Sequence, residues 1–351
     1  MKRNSNFELL RIIAMVLIIA FHYTFKAEYY PWEGMSFNRY LYYFLYYTGE
    51  LGVNVFLLIS GYFLPETTRK PQKIVIMICQ CYFYTILARC ILVYFGKSWS
   101  EWSLKDYLFP VLVPQYWFVT CYILIYMFSP YIKEMVLHLS RRAYAELLII
   151  FLVIWSVFPS TFGLYLYGNY NTEESQNLNR FIWLMGMYLL GGYIRLHGLP
   201  LLNSLKRCII FLMVNVLNLG LYIIMAYYGY VFGGTSPVEF WHPNSIMEVL
   251  LSVSLLLVFE KIELQYSRII NYVAKCLLGI YMLHDGYLCY FLWNDVFRNS
   301  SYQFTPYYAL HMLFAVAMIM MGGVAIDSVR QGLFYGFTKI FVKEKKACKG
   351  F

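Results

Sequence analysis

The sequence predicts an all-α, polytopic transmembrane helical bundle of about ten spans with both termini in the cytoplasm. Three observations carry that prediction. The 351-residue chain is 60% hydrophobic and only 13% charged, with a mean hydropathy of +0.54, whereas a soluble domain carries about 25% charged residues. Its apolar residues gather in runs of about twenty, the length a helix needs to cross hydrocarbon. Its basic residues are shared unevenly between alternate loops.

Taken in order, the apolar runs lie near 9–27, 40–63, 74–95, 113–132, 145–167, 181–197, 208–228, 246–260, 272–294 and 306–328. The first reads as an uncleaved signal-anchor, because Lys2 and Arg3 precede it and no small-x-small site follows Phe21. The eighth is short. With the N-terminus inside, only Lys26, Arg39, Lys97, Lys105, Arg180 and Arg298 fall on outer loops, and Arg11 and Arg89 lie within spans. All the other basic residues fall inside, which favours two cytoplasmic termini and an even number of helices. The net charge of +9 therefore reports topology and gives no support to nucleic acid as a partner. Residues 1–330 read as one integral-membrane domain, and 331–351 as a short basic cytoplasmic tail attracted to an anionic leaflet. The eight cysteines form no CxxC pair and no metal-ligand spacing with histidine, so they read as small buried hydrophobes and no metal is expected.

Ionisable side chains inside a span are costly and normally face a bundle interior or a wet cavity. In the run from Glu8 to His22, Arg11 and His22 are eleven residues apart. That is close to three helical turns, so they share a face at about 16 Å along the axis. Glu8 lies one turn before Arg11 on the same side. This polar track is the candidate active site. Glu50, about ten residues into the second span from outside, lies at a depth similar to His22 and could pair with it. In the same span Ser60-Gly61 allows a neighbouring helix or ligand to come close.

Arg69, Lys70 and Lys73 follow on the inner side. They suit positive-inside anchoring, and equally a phosphate-binding lip for a nucleotide-bearing donor. Trp117 opens the fourth span, and His284-Asp285 lies past the middle of the ninth. Neighbours on a helix do not face one way, so a dyad within His284-Asp285 is not expected. His284 instead suits substrate binding or support of His22. His311 reads as a satisfied core histidine, Asp327 as a carboxylate reaching water near the inner end, and Arg89 as a snorkelling arginine. The outer loops 168–177 and 233–244, the latter with Trp241 and His242, suit a sugar ligand or an interfacial belt. There is no GxSxG, P-loop, HExxH or soluble DxD-like pair, which argues against hydrolase, ATPase and common glycosyltransferase chemistry.

Together these stretches resemble the membrane-bound acyltransferase 3 family, whose members O-acylate cell-surface glycans. The resemblance rests on Arg11-x10-His22, on Gly52 through Ile59-Ser-Gly-Tyr-Phe63, on Trp117-Phe118 with Pro130, on Leu189-Leu-Gly-Gly-Tyr193, and on Gly279-Ile-Tyr-Met-Leu-His284. Many members carry Asp where Asn54 stands, and the arginine-rich run after the second helix is reduced here to Arg69, Lys70 and Lys73. The resemblance implies a bacterial plasma-membrane enzyme that takes an acyl group, usually acetyl, from cytoplasmic acetyl-CoA. The acceptor would be a hydroxyl of a cell-surface or lipid-linked glycan. His22 would serve as general base, or as a transient acyl carrier, with Glu50 in the catalytic group. Arg11, Arg69, Lys70 and Lys73 would hold the donor, and Asn54, Ser60, Trp117 and His284 the acceptor. The competing expectation is a transporter or flippase for a lipid-linked saccharide, which intramembrane charges also suit.

Overall fold

The computed structural model describes residues 4–32, 34–66, 68–97, 104–159, 173–233 and 244–347. The two sugar-facing outer-loop candidates fall largely outside these residues, Trp241 and His242 included. The described chain is helical, with no strand among the described residues. Its principal helices are α1 (Ser5–Phe25), α2 (Phe37–Tyr47), α3 (Leu51–Tyr62), α4 (Pro71–Tyr94), α5 (Leu104–Leu108) and α6 (Trp117–His138). They continue as α7 (Arg141–Leu152), α8 (Glu173–His197), α9 (Leu205–Gly233), α10 (Ile246–Lys261), α11 (Arg268–His284) and α12 (Tyr308–Ala347).

Local chemistry sets the helix starts. Ser36, Ser140, Ser245 and Ser267 cap α2, α7, α10 and α11, each accepting from the amide three residues on. Pro71 occupies the first turn of α4, where its missing N–H is not needed.

A helix stands at each of the ten expected apolar runs, but among the described residues α1, α4, α9 and α12 are the ones both long and apolar enough to cross a membrane by length and composition. The second and ninth runs are broken. Between α2 and α3 the chain turns at Thr48–Glu50, and the Thr48 hydroxyl donates back to the Phe44 and Leu45 carbonyls. Glu50 consequently sits at the start of α3, and not on a continuous helical face as the uninterrupted span implied. In the ninth run α11 stops at His284, and a π-helical turn over Phe291–Val296 follows. No break marks residue 330, since α12 continues through it.

α1 forms the centre of the bundle, packed against α2, α3, α10, α11 and α12. Near its start, Asn6 donates to the Phe259 carbonyl at 2.8 Å, and Ser5 accepts from Asn271 at 2.9 Å. Near its end, Asn299 donates to the Tyr23 carbonyl at 2.9 Å. These contacts define a charged end, with Arg69, Lys70, Lys73, Arg195, Lys261, Arg268 and Lys275, and a far end that carries Lys26 and Asp285.

α3 and α8 are the most intimate pair. A Cβ at Gly61 would run into the Tyr188 carbonyl, and one at Gly191 into the Leu58 carbonyl. Small residues are what allow backbones this close. Outside, α9 and α12 expose Ile210, Met213, Leu217 and Met225, and Leu310, Leu313, Phe314 and Met321, as faces turned to lipid do.

Two expectations about charged groups are corrected. Asp327 does not reach water: it is 0% exposed and accepts from Tyr84 at 2.6 Å, Arg330 Nε at 2.7 Å and Gln331 at 2.7 Å. Arg89 does not snorkel and is 4% exposed within the bundle.

Candidate active site

A cavity of about 750 Å³ opens at the charged end. Its α1 wall is the stripe Glu8, Arg11, Met15 and Ile18, a 3-4-3 spacing that keeps all four side chains on one face. The next position on that face is His22. The α3 wall carries Val53, Phe56, Ser60 and Phe63, with Glu50 one turn before Val53. The α11 wall carries Ala274, Lys275, Leu277, Leu278 and Tyr281, with His284 and Asp285 one turn beyond. Three helix stripes thus converge on His22, Glu50 and Asp285 just past the end of the cavity.

There His22, 6% exposed, sets Nε2 at 3.4 Å from Asp285 Oδ1. Lys26, one turn farther along α1, places Nζ 3.6 Å from the same oxygen. Among the described residues, His22 Nδ1 has no hydrogen-bond partner. His284 packs its ring 5.1 Å from that of His22 and contacts the Ile280 carbonyl through Nδ1 at 2.7 Å. A carbonyl only accepts, so His284 Nδ1 carries the proton and its Nε2 a bare lone pair. The Tyr281 hydroxyl lies beside Asp285. The nearest charges to Glu50 are Arg180, Asp285 and Lys26, and the Arg180 guanidinium stacks 4.6 Å over the Trp117 ring.

At the mouth, Arg11 pairs with Glu8 at 2.7 Å, and Lys73 lines the opening. Arg69 and Lys70 are not part of the lining: Arg69 donates to the Met127 carbonyl at 3.3 Å, and the Lys70 amide donates to the Tyr126 hydroxyl at 2.8 Å. Asn54 is fully buried, with its oxygen accepting from Trp183 at 2.9 Å. Ser60 faces the cavity and donates to its own helix at Phe56. His311 lies elsewhere, within 2.9 Å of the Tyr23 hydroxyl and stacked on Tyr302.

Sequence reasoning misread or passed over several residues at the site, Asp285, Lys275 and Arg180 among them. Asp285 meets a histidine, but the one on α1 and not its neighbour in sequence. Lys275, counted only toward topology, joins Arg11 and Lys73 at the mouth. Its spacing of 3, 3 and 4 through Leu278 and Tyr281 to Asp285 was a usable signal. Arg180, assigned to an outer loop, reaches the site on α8.

An imidazole beside a carboxylate, in apolar surroundings and one helical turn past a cavity lined by Arg11, Lys73 and Lys275, can take a proton from a hydroxyl. A family model described as an acyltransferase domain, of the acyltransferase 3 type, matches residues 4–326. The chain belongs to the acyltransferase 3 family. The matched region takes in every residue of the site from Arg11 to Asp285. No curated protein and no solved structure matches the chain. Membership of the acyltransferase 3 family makes this a membrane acyltransferase, and the apolar helices agree with a bilayer environment.

Proposed function

We propose that this chain moves an acetyl group from cytoplasmic acetyl-CoA to a hydroxyl of a cell-surface or lipid-linked glycan, in a bacterial plasma membrane. The observation that carries the reading is the cavity, which has Arg11, Lys73 and Lys275 at its mouth and ends one helical turn short of the His22–Asp285 pair. The three cations suit the phosphates of the donor's nucleotide. The apolar shaft beyond them suits its extended arm, which would cover the roughly 16 Å between Arg11 and His22.

In the reaction, the acceptor oxygen attacks the thioester carbonyl while His22 takes the hydroxyl proton. The carbon–sulfur bond breaks, the carbon–oxygen bond forms, and the proton passes to the leaving thiolate. Asp285 on Nε2 would hold that nitrogen protonated, leaving Nδ1 as the basic atom, and would stabilise the imidazolium as it forms. Glu50, Arg180 and Trp117 border the same point and fit a subsite for the acceptor.

The test is transfer of labelled acetyl from acetyl-CoA by purified protein in liposomes, with a cell-surface glycan extract as acceptor. His22→Ala should lower kcat by about 10²–10⁴-fold in a variant that melts with the parent, and Arg11→Ala should raise KM for acetyl-CoA. Full transfer by a folded His22→Ala protein would sink the mechanism.

A further inference from the structure

The cavity does not reach the imidazole. Its lining includes Ile18, Val53, Phe56, Phe118, Val119 and Tyr281, but not His22, His284, Asp285 or Glu50. What closes it is a chain of rings. Phe118 meets Phe56 edge-to-face at 6.2 Å and Tyr281 edge-to-face at 5.6 Å. Tyr281 in turn meets the His284 ring at 6.3 Å. The rings come from three different helices, α3, α6 and α11, and Ile18 of α1 faces the same space.

The α1–α3 side offers no detour. A Cβ at Gly52 would strike the Ala14 carbonyl and Ile18, so the two backbones are already in contact there. Beyond the rings, His22, Tyr23, Tyr116 and His284 are all buried. Interiors this close-packed respond to a single added methylene.

We infer that Phe118, with Phe56 and Tyr281, forms an aromatic collar that sets acyl-chain length. The inference rests on the acyl-transfer reading above. The acyl group leads the donor into the collar, and the thioester follows. An acetyl methyl needs only a small parting of the rings, whereas each further methylene must push farther against side chains set on three helices. Discrimination by one methylene in an apolar pocket reaches about 10–200-fold, so the preference should be steep over the first few carbons.

The experiment compares CoA release from acetyl-CoA, butyryl-CoA and hexanoyl-CoA by the full chain in liposomes. Water serves as acceptor, so no glycan need be known. The quantity read is the ratio of kcat/KM for butyryl-CoA to that for acetyl-CoA. A general loss of folding lowers both rates together and leaves this ratio alone. The parent should favour acetyl-CoA by at least about 10-fold, and Phe118→Ala should raise the ratio about 10-fold or more. Phe56→Leu and Phe118→Leu, which keep most of the packing volume, should raise it by a smaller factor. A ratio unchanged within twofold in variants that still release CoA from acetyl-CoA overturns the collar and leaves acyl transfer standing. Absence of CoA release from every donor by the parent, with the glycan extract also present, overturns both.

Discussion

At His22 the imidazole has two different neighbours. Nε2 faces the Asp285 carboxylate at 3.4 Å, and Nδ1 is buried without a partner among the described residues. The contact lies at the loose end of hydrogen-bond range, and catalytic contacts of this kind tighten when substrate binds. Lys26 holds the same carboxylate oxygen at 3.6 Å. Asp285 thus orients the imidazole without lining the cavity. Asp285→Asn should therefore lower kcat about 10²-fold or more while leaving KM for acetyl-CoA within a few-fold. A rise in KM alone would assign Asp285 to binding instead.

Helix-to-helix distance decides whether the site assembles. α3 brings Glu50, Val53, Phe56 and Ser60 to the cavity only because Gly61 and Gly191 let α3 and α8 pack backbone to backbone. Gly61→Val places side-chain carbons where the Tyr188 carbonyl lies. It should destabilise the protein by about 1–3 kcal/mol, the usual cost of overpacking, read as a lower thermal midpoint in detergent. An unchanged midpoint would mean that α3 and α8 part without cost. The break at Thr48–Glu50 belongs to the same scale. It turns what reads as one apolar run into two helices and puts an acid at the start of the second.

For the molecule as a whole, the proposed reaction takes its donor at the charged end and its acceptor at the far end. With Lys73 and Lys275 lining the cavity there, the basic-residue rule predicts that the charged end faces inside. With Cys79 and Cys90 replaced by Ser, an impermeant maleimide added to intact cells should label Glu28→Cys and spare Asn203→Cys. The reverse pattern would invert the orientation and bring the donor in from the wrong side. The buried Asp327–Arg330 pair, tied to Tyr84 and Gln331, fastens α12 to α4 against Gly279 of α11.

Much of this architecture was legible in the amino-acid order. Apolar runs of about twenty residues mark helices because backbone groups in lipid must be satisfied internally. Arg11 and His22 share a face because eleven residues is nearly three turns. The Arg11-x10-His22 and Gly279–His284 stretches pointed to the acyltransferase 3 family that the match over 4–326 shows. Periodicity, however, describes one helix at a time. It ruled out His284 with Asp285 and had no means of pairing Asp285 with His22, 263 positions earlier. It assigned Lys275 and Arg180 to loops and let Asp327 and Arg89 reach solvent, because the burial of a charge depends on which other helices surround it. The sequence by itself determined the helices, their polar stripes and the family. Only tertiary packing decided which stripes meet, where the cavity stops, and which carboxylate reaches the imidazole, because each of these is a distance between residues remote in the chain.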